Sequence, residues 1–580
     1  TPLPLEHAAQ LASPLHLGLL GLDGSGRIQS RMSAALACRI WRSPCRVSGL
    51  SLRLAQTRSW PQPRDFRHCR TMTVFAVSKE LPEALQGLQP APLWRFFGEL
   101  SSIPRPSYKE QKVLDWLKLF AEERGLAWSQ DAAGNLVMRR PGGGGGEAAP
   151  TVIIQGHIDM VTEKNADVQH DFEADGIRLV RRDGWVTADG TTLGADNGIG
   201  VCAALAVLDS PPSMPLPPLE ALFTVDEEVG MTGALRLDPG LLTGRVMLNL
   251  DTEDWGDIFI GCAGGGDSAL TLDLPLEPLA GAAGGWGARG FRLGGMLGGH
   301  SGLEIGEDRA NALRLAARAA AAGLAAAPGV RLLALSGGDK RNAIPREAGF
   351  QLAAPDAGAL EAATAAVRAA ADAFRLEYGA LEMGLALTEE EVGSEARRAG
   401  LTPAAADRLL LLLLTLPHGV IKHSHTVPGL VETSSNLASA TIKRRTPESL
   451  TVELVTCTRS SLDRALEDVR QGIARLGRAA GATVHQDAAY PGWVPEPDAP
   501  VVHAAAAAIQ GVTGKAPAVK AIHAGLECGI IGQKLPGVQS VSYGPTIRGA
   551  HSPDERVEVA TVAPFYEATL ALLRRLAQAA

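Results

Sequence analysis

The stretch FTVDEEVGMTGA, residues 223–234, decides the fold. Strand-forming Phe223, Thr224 and Val225 deliver three consecutive acids, Asp226, Glu227 and Glu228, into a glycine-containing turn. Adjacent carboxylates at the end of a buried strand repel one another and resist desolvation, so the arrangement calls for a cation or a proton-transfer task. An isolated Asp-Glu-Glu is ordinarily a solvated turn. Here the pattern repeats along the chain, and repetition is what solvation alone does not explain.

Upstream, IIQGHIDMV places His157 and Asp159 two apart on a strand, so both side chains leave the same face. Asp196 lies in the glycine turn GADNGIG at the mouth of an Ala-rich helix, and Asp251 ends the next apolar run, VMLNLD. Four successive units thus put an acid or imidazole at one edge. Oxygen and imidazole donors without thiolates suit zinc, manganese or cobalt in a catalytic setting that keeps a position open for water. The seven cysteines are scattered and form no CxxC pair, which argues against a thiolate zinc knot or a disulfide framework and fits a reducing compartment. The second imidazole such a centre needs is best supplied by His551 in GPTIRGAHSPDERV.

At 580 residues with 46% apolar content, the chain reads as a multi-domain globular protein. LLLLLLTL, residues 409–416, is too short to cross a bilayer and reads as a buried helix. A net charge of -8 and 4% aromatic content give no support for nucleic-acid binding. Residues 24–79 hold ten Arg and one Lys against a single acid, Asp65, and are rich in Ser, the pattern of an organelle transit peptide opening near Met32, with a basic tail as the alternative. The order strand, turn, helix recurs from about residue 92, giving an α/β sheet with ligands at strand ends. From 268 to 490 the texture changes to Ala-rich helices mixed with strands. The expected organisation is therefore a disordered extension over 1–84, a catalytic domain over 85–267 and 491–580, and an inserted α+β lid or dimerisation domain over 268–490.

Eight segments in order, GHIDMV, LGADNGIG, TVDEEVGMTGA, LNLDTEDWGDIFIGCAGG, GGHSG, RNAIPREA, IHAGLECGI and HSPDERV, together resemble the M20 metallopeptidases, specifically the aminoacyl-histidine dipeptidase branch. The resemblance covers about residues 92–578 and implies a zinc-peptidase-like α/β domain with an inserted lid, two zinc ions replaceable by manganese or cobalt, a small peptide substrate and a homodimer. It implies His157, Asp196, Glu228, Asp251 and His551 as metal ligands, with Asp196 bridging and followed by a cis peptide. Asp159 would orient His157. Glu227 would be the general base. His300 in GGHSG resembles the family histidine that reaches a partner subunit's site to stabilise the oxyanion. Asn342 and Arg459 resemble lid residues that hold the peptide carboxylate. Glu527 would meet the α-amine or serve as a buried structural carboxylate.

Two stretches depart from the family pattern. After GGHSG the chain reads IGEDRANA, with Gly306, Asp308 and Ala310 in place of His, Gly and Gly, and His423 and His425 stand where relatives carry Met and an acid. Both fall in the inserted region, so they bear on specificity rather than on the reaction; His423 and His425 fit an exposed strand better than a further metal site. Two alternatives stay open: an M20-type aminoacylase or deacetylase of N-acyl amino acids, and a non-catalytic binding relative.

Overall fold

The computed structural model describes residues 80–280 and 285–578. The transit-peptide reading falls on residues 24–79, outside the described residues. Early in the described part lies a short 3-10 helix, Glu83–Leu85, whose Leu85 is fully buried.

The acids end the strands of an eight-stranded sheet, ordered Ala127–Gln130, Leu136–Arg140, Leu219–Thr224, Val152–His157, Val246–Asn249, Gln539–Ser542, Asp257–Cys262, Ala518–Ile522. Leu219–Thr224, Val152–His157 and Val246–Asn249 are neighbours and parallel. They therefore release the 226–228 turn, His157 and Asp251 at one carboxyl edge, where open α/β sheets collect ligands. The first two of these strands are buried at every position, as parallel strands covered on both faces must be.

Helix Ala195–Leu208 covers one face, and every residue of it but Asp196 is buried. Its small side chains permit close approach: a Cβ on Gly200 would stand 2.6 Å from the Leu250 carbonyl oxygen. The amphipathic helices expected near the start are Ala91–Ser101 and Gln111–Glu123. They bury Leu93, Trp94, Phe96, Phe97 and Leu100 from the first and Val113, Leu117 and Phe120 from the second. Each fully buried side chain of this kind contributes about 1.5–3 kcal/mol.

A small four-stranded sheet pairs the hairpin Ile547–Arg548 and Arg556–Glu558 with Trp185–Ala188 and Leu179–Arg182. His551 and Glu555 sit in that hairpin's turn, and the 193–196 turn follows Trp185–Ala188 closely in sequence. Strand pairing thus carries the late ligand to the early ones.

The lid is a ten-stranded antiparallel sheet with its own apolar core. Its topology is a duplication. Gly287–Gly294, helix Ala312–Ala326, Arg331–Gly337, Ala348–Ala354, helix Ala357–Tyr378 and Ala386–Glu390 form a β-α-β-β-α-β unit. Gly264–Pro278, helix Pro403–Thr415, Val431–Arg445, Ser449–Ser460, helix Asp463–Ala479 and Thr483–His485 form a second with the same strand order. The first unit is inserted after the opening strand of the second, and the two meet edge to edge where Gly337 pairs with Ala440.

The Leu-rich run is a buried-faced helix, Pro403–Thr415, capped by the Thr402 hydroxyl, which accepts from the Ala405 amide. Among the described residues no helix is long and apolar enough to cross a membrane. His423 and His425 are exposed, as expected, but the strand that follows is buried from Val431 to Ala440 because it lies at the centre of the doubled sheet.

Candidate metal centre and active site

At the carboxyl edge, His157, Asp196 and Glu228 bring donor atoms within 4.8 Å of one another. His157 Nε2 lies 3.1 Å from Asp196 Oδ1 and 3.2 Å from Asp251 Oδ1. His551 Nε2 lies 3.3 Å from Asp196 Oδ2 and 3.1 Å from Glu228 Oε2. Each oxygen of Asp196 thus faces a different imidazole, the disposition of a bridging carboxylate. Donors about 2.0–2.1 Å from one tetrahedral zinc stand about 3.3 Å apart, so the observed spacing fits a pair of divalent ions. All five expected ligands are brought together, and the Asp196–Asn197 peptide is cis.

The electrostatics agree with that fit. Hydrogen bonds to Asp196 and Glu228 push the His551 imidazole up to about 11 although its side chain is more than half exposed. Burial opposes charge on His157, but Asp251 and hydrogen bonds to three carboxylates hold it well above its usual value. Burial pushes Asp251 up to about 6. Without a cation, this cluster recruits protons; its geometry is built around positive charge.

The three acids of 226–228 have three different jobs. Asp226 accepts from the Tyr108 amide at 2.7 Å and its own amide donates to Glu110 at 3.0 Å, tying the turn to the loop before helix Gln111–Glu123. Glu228 faces His551. Glu227 points at neither histidine within ion-pair distance; burial, then repulsion from Asp251, Glu228 and Glu527, raises its carboxyl well above the usual range against the pull of His157. Asp159 is fully buried and stands 3.3 Å from His157 Nδ1, which directs Nε2 towards the ligand cluster. Asp159 also accepts from the amides of Glu227 and Glu228 and from Ser107 Oγ. Asp226 and His551 both adopt left-handed backbone, uncommon without glycine and concentrated at working sites.

From the lid, Arg459 is 6% exposed and has no ion pair among the described residues. Its guanidinium approaches Ser301 Oγ, Tyr490 Oη at 3.2 Å and His300 Nε2 at 3.5 Å. His300 Nδ1 accepts from the Gly302 and Leu303 amides, so in the neutral ring Nε2 carries the proton. Burial, then Arg459 and His551, lowers His300 to about 4 and keeps the ring neutral. Two donors, Nε2 of His300 and Nη2 of Arg459, therefore converge with no acceptor between them. The charge of His551 in the same chain is among those that act on His300. Asn342 is exposed, accepts from the Ser301 amide through its backbone carbonyl, and lines with His300 a cleft of about 720 Å3.

Glu527 is fully buried, accepts from Gln155 and Thr224 at 2.6 Å through one oxygen, and burial pushes it up to about 8. Sequence reasoning missed four further participants: Arg105, Ser107, Tyr490 and Glu555. Of these only Glu555 carried a signal, lying four residues after His551 in the same motif.

The sequence signature of peptidase family M20/M25/M40 matches residues 153–575. The chain is 38% identical over 492 residues to the cytosol non-specific dipeptidase of Escherichia coli, covering 85% of this chain and 99% of that protein. The crystal structure of aminoacylhistidine dipeptidase from Vibrio alginolyticus superposes with a TM-score of 0.75 at 38% identity, covering 85% and 98% of the two chains. A tripeptidase from Staphylococcus aureus shares the fold at 16% identity, with a TM-score of 0.53 over 85% of this chain and 99% of its own. Signature, relatives and ligand geometry agree: the chain belongs to peptidase family M20/M25/M40.

Proposed function

We propose that the protein is a dipeptidase that hydrolyses the peptide bond of dipeptides with a free N-terminus, of Xaa-His type or broader. The observation that carries this reading is the pair of unmatched lid donors, Arg459 and His300, facing a carboxylate-and-imidazole cluster. A buried guanidinium without a carboxylate is costly unless a ligand supplies one, and a dipeptide offers its C-terminal carboxylate within a few bonds of the scissile carbonyl.

His157, Asp196, Glu228, Asp251 and His551 would hold two divalent ions, zinc first, with manganese or cobalt as substitutes. When bound, such ions supply Lewis acidity that polarises a carbonyl and eases the ionisation of water. Glu227 takes the proton of the attacking water and returns it to the departing amine, a task suited to a buried carboxyl held above the usual carboxylate range. Asp159 fixes the His157 ring and the backbone that presents Glu227. His300 Nε2–H donates to the developing oxyanion, and Arg459 with Asn342 grips the carboxylate. Complete burial favours the structural role for Glu527, which braces the Thr224 end of the strand beneath Glu227.

The resemblance implies that His300 serves a partner subunit's site within a homodimer, while the influence of its own chain's His551 on its ring supports service to its own site. The basic, Ser-rich segment 24–79 supports delivery to a chloroplast or mitochondrion, which import of a tagged chain into isolated organelles tests. The decisive experiment is a panel of free dipeptides, Xaa-His among them, against N-acetyl amino acids, using metal-stripped and metal-restored enzyme. Hydrolysis of dipeptides only after metal is restored is expected; turnover of acetylated substrates alone would replace this reading with an aminoacylase.

A further inference from the structure

Arg105 and Glu555 are charged, each 2% exposed, and neither forms an ion pair among the described residues. Both spend their hydrogen-bonding capacity on backbone. Glu555 accepts from four consecutive amides, Leu193 at 2.7 Å and Gly194 at 2.9 Å on one oxygen, Ala195 at 2.7 Å and Asp196 at 3.2 Å on the other. Helix Ala195–Leu208 begins on Gly194, in left-handed conformation, and has no side-chain cap from its own neighbourhood. A carboxylate some 360 positions later gathers the four amides of this turn, and the regular helix runs only past Asp196 and Asn197, whose backbone is non-helical.

Arg105 works on the opposite set of atoms. One nitrogen donates to the carbonyls of Ile158 at 2.9 Å and Asp159 at 2.8 Å, and another donates to the carbonyl of Gly194. The planar fork of arginine can bridge such separated carbonyls in a way an ammonium cannot. Gly194 is doubly required: φ is +70°, and a Cβ there would lie 2.3 Å from the Arg105 guanidinium.

The segments so tied are the ligand-bearing ones. Arg105 joins the end of strand Val152–His157, just past His157, to the turn that presents Asp196. Glu555 joins that same turn to the hairpin that presents His551. We propose that Arg105 and Glu555 are positioning residues that pre-form the metal centre, clamping the His157, Asp196 and His551 segments into one geometry before any ion arrives. The inference rests on the metal reading of this site but not on the identity of the substrate. Its physical content is that the ordering of three distant segments is met in folding, so that ion binding does not have to supply it. A plain helix cap makes a different claim, since it stabilises the fold and leaves ion affinity alone.

Zinc affinity measured by chelator competition, together with the visible spectrum of the cobalt-loaded protein, distinguishes the two. Glu555→Gln keeps the size but turns one acceptor oxygen into a donor facing amide N–H groups. Arg105→Lys keeps the charge but loses the fork. Each variant, verified as folded by circular dichroism, is expected to bind zinc about 10–100-fold more weakly than wild type and to shift the cobalt spectrum, the size seen when supporting residues of metal sites are removed. Unchanged affinity and spectrum with only a lowered melting temperature would overturn the proposal. If Glu555→Gln fails to fold, Arg105→Lys decides. Wild-type protein supplies an independent check: after metal stripping, the amides of residues 193–196 should exchange with solvent as slowly as those of the neighbouring helix, and fast exchange would refute pre-formation. Failure of wild type to take up zinc or cobalt would instead overturn the metal reading itself.

Discussion

The carboxyl edge of the catalytic sheet and the facing surface of the lid are opposites. The sheet edge concentrates acids, and its two histidines are drawn towards positive charge. The lid presents a guanidinium with no ion pair among the described residues and an imidazole held neutral. On the first side the missing component is a cation; on the second it is an anion. Neither surface is electrostatically complete alone, and a peptide running between metal and Arg459 would complete both. In the proposed reading the sheet edge would supply the chemistry, while the lid would supply recognition and charge relief in the transition state.

Changes at the sheet edge should therefore cost most. Glu227→Gln is expected to lower kcat by about 10²–10⁴-fold while zinc content, measured by elemental analysis, stays at the wild-type level; retained activity would remove Glu227 from the base role. On the lid side, His300→Ala should lower kcat by about 10²–10³-fold, with metal again retained. Mixing the Glu227→Gln and His300→Ala proteins sharpens the comparison. If each lid serves its own chain, the mixture is as inactive as its parts, and regained turnover would show exchange between subunits.

A core substitution far from the chemistry probes the lid as a folding unit. Phe350 stacks on Phe291 with ring centroids 5.1 Å apart, and both are buried. Phe350→Ala should destabilise the lid by about 3–5 kcal/mol in denaturant unfolding, with zinc affinity of the folded protein unchanged. The smallest effect concerns pH. Burial, then Arg314, lowers His418 in the lid to about 4. Between about pH 6.5 and 4 the unfolded chain binds a proton there that the folded chain refuses, so this residue's contribution to stability falls as pH drops through that window. His418→Asn should flatten the acid limb of the lid's stability profile, and an unchanged slope would count against a neutral buried His418.

The candidate ligand cluster was legible in part because His157, Glu228 and Asp251 follow apolar runs that become neighbouring parallel strands, whereas His551 arrives in the turn of an antiparallel hairpin. The two-apart spacing of His157 and Asp159 also held, with Asp159 against the imidazole. What lay out of sight was support by backbone. Glu555 and Arg105 are satisfied by amides and carbonyls, which every residue has, so no residue pattern marks their partners. The doubled lid was equally hidden: its halves share strand order but are nested, and the sequence shows only Ala-rich helices alternating with strands. His300 stood out in the sequence through GGHSG, whereas its approach to Arg459 Nη2, 159 positions away, shows only in the folded lid. For Glu527 the sequence left two roles open, and its burial against Gln155 and Thr224, which no pattern announced, is what supports the structural one in the proposed reading.

The late position of the 549–555 hairpin has a consequence for biosynthesis. His157, Asp196, Glu228 and Asp251 leave the ribosome long before His551 and the Glu555 clamp, and the nested lid must be translated in between. A nascent chain thus carries an acid-rich half-site through the synthesis of some 300 intervening residues, and in the proposed reading the centre would close only once residues 549–555 emerge.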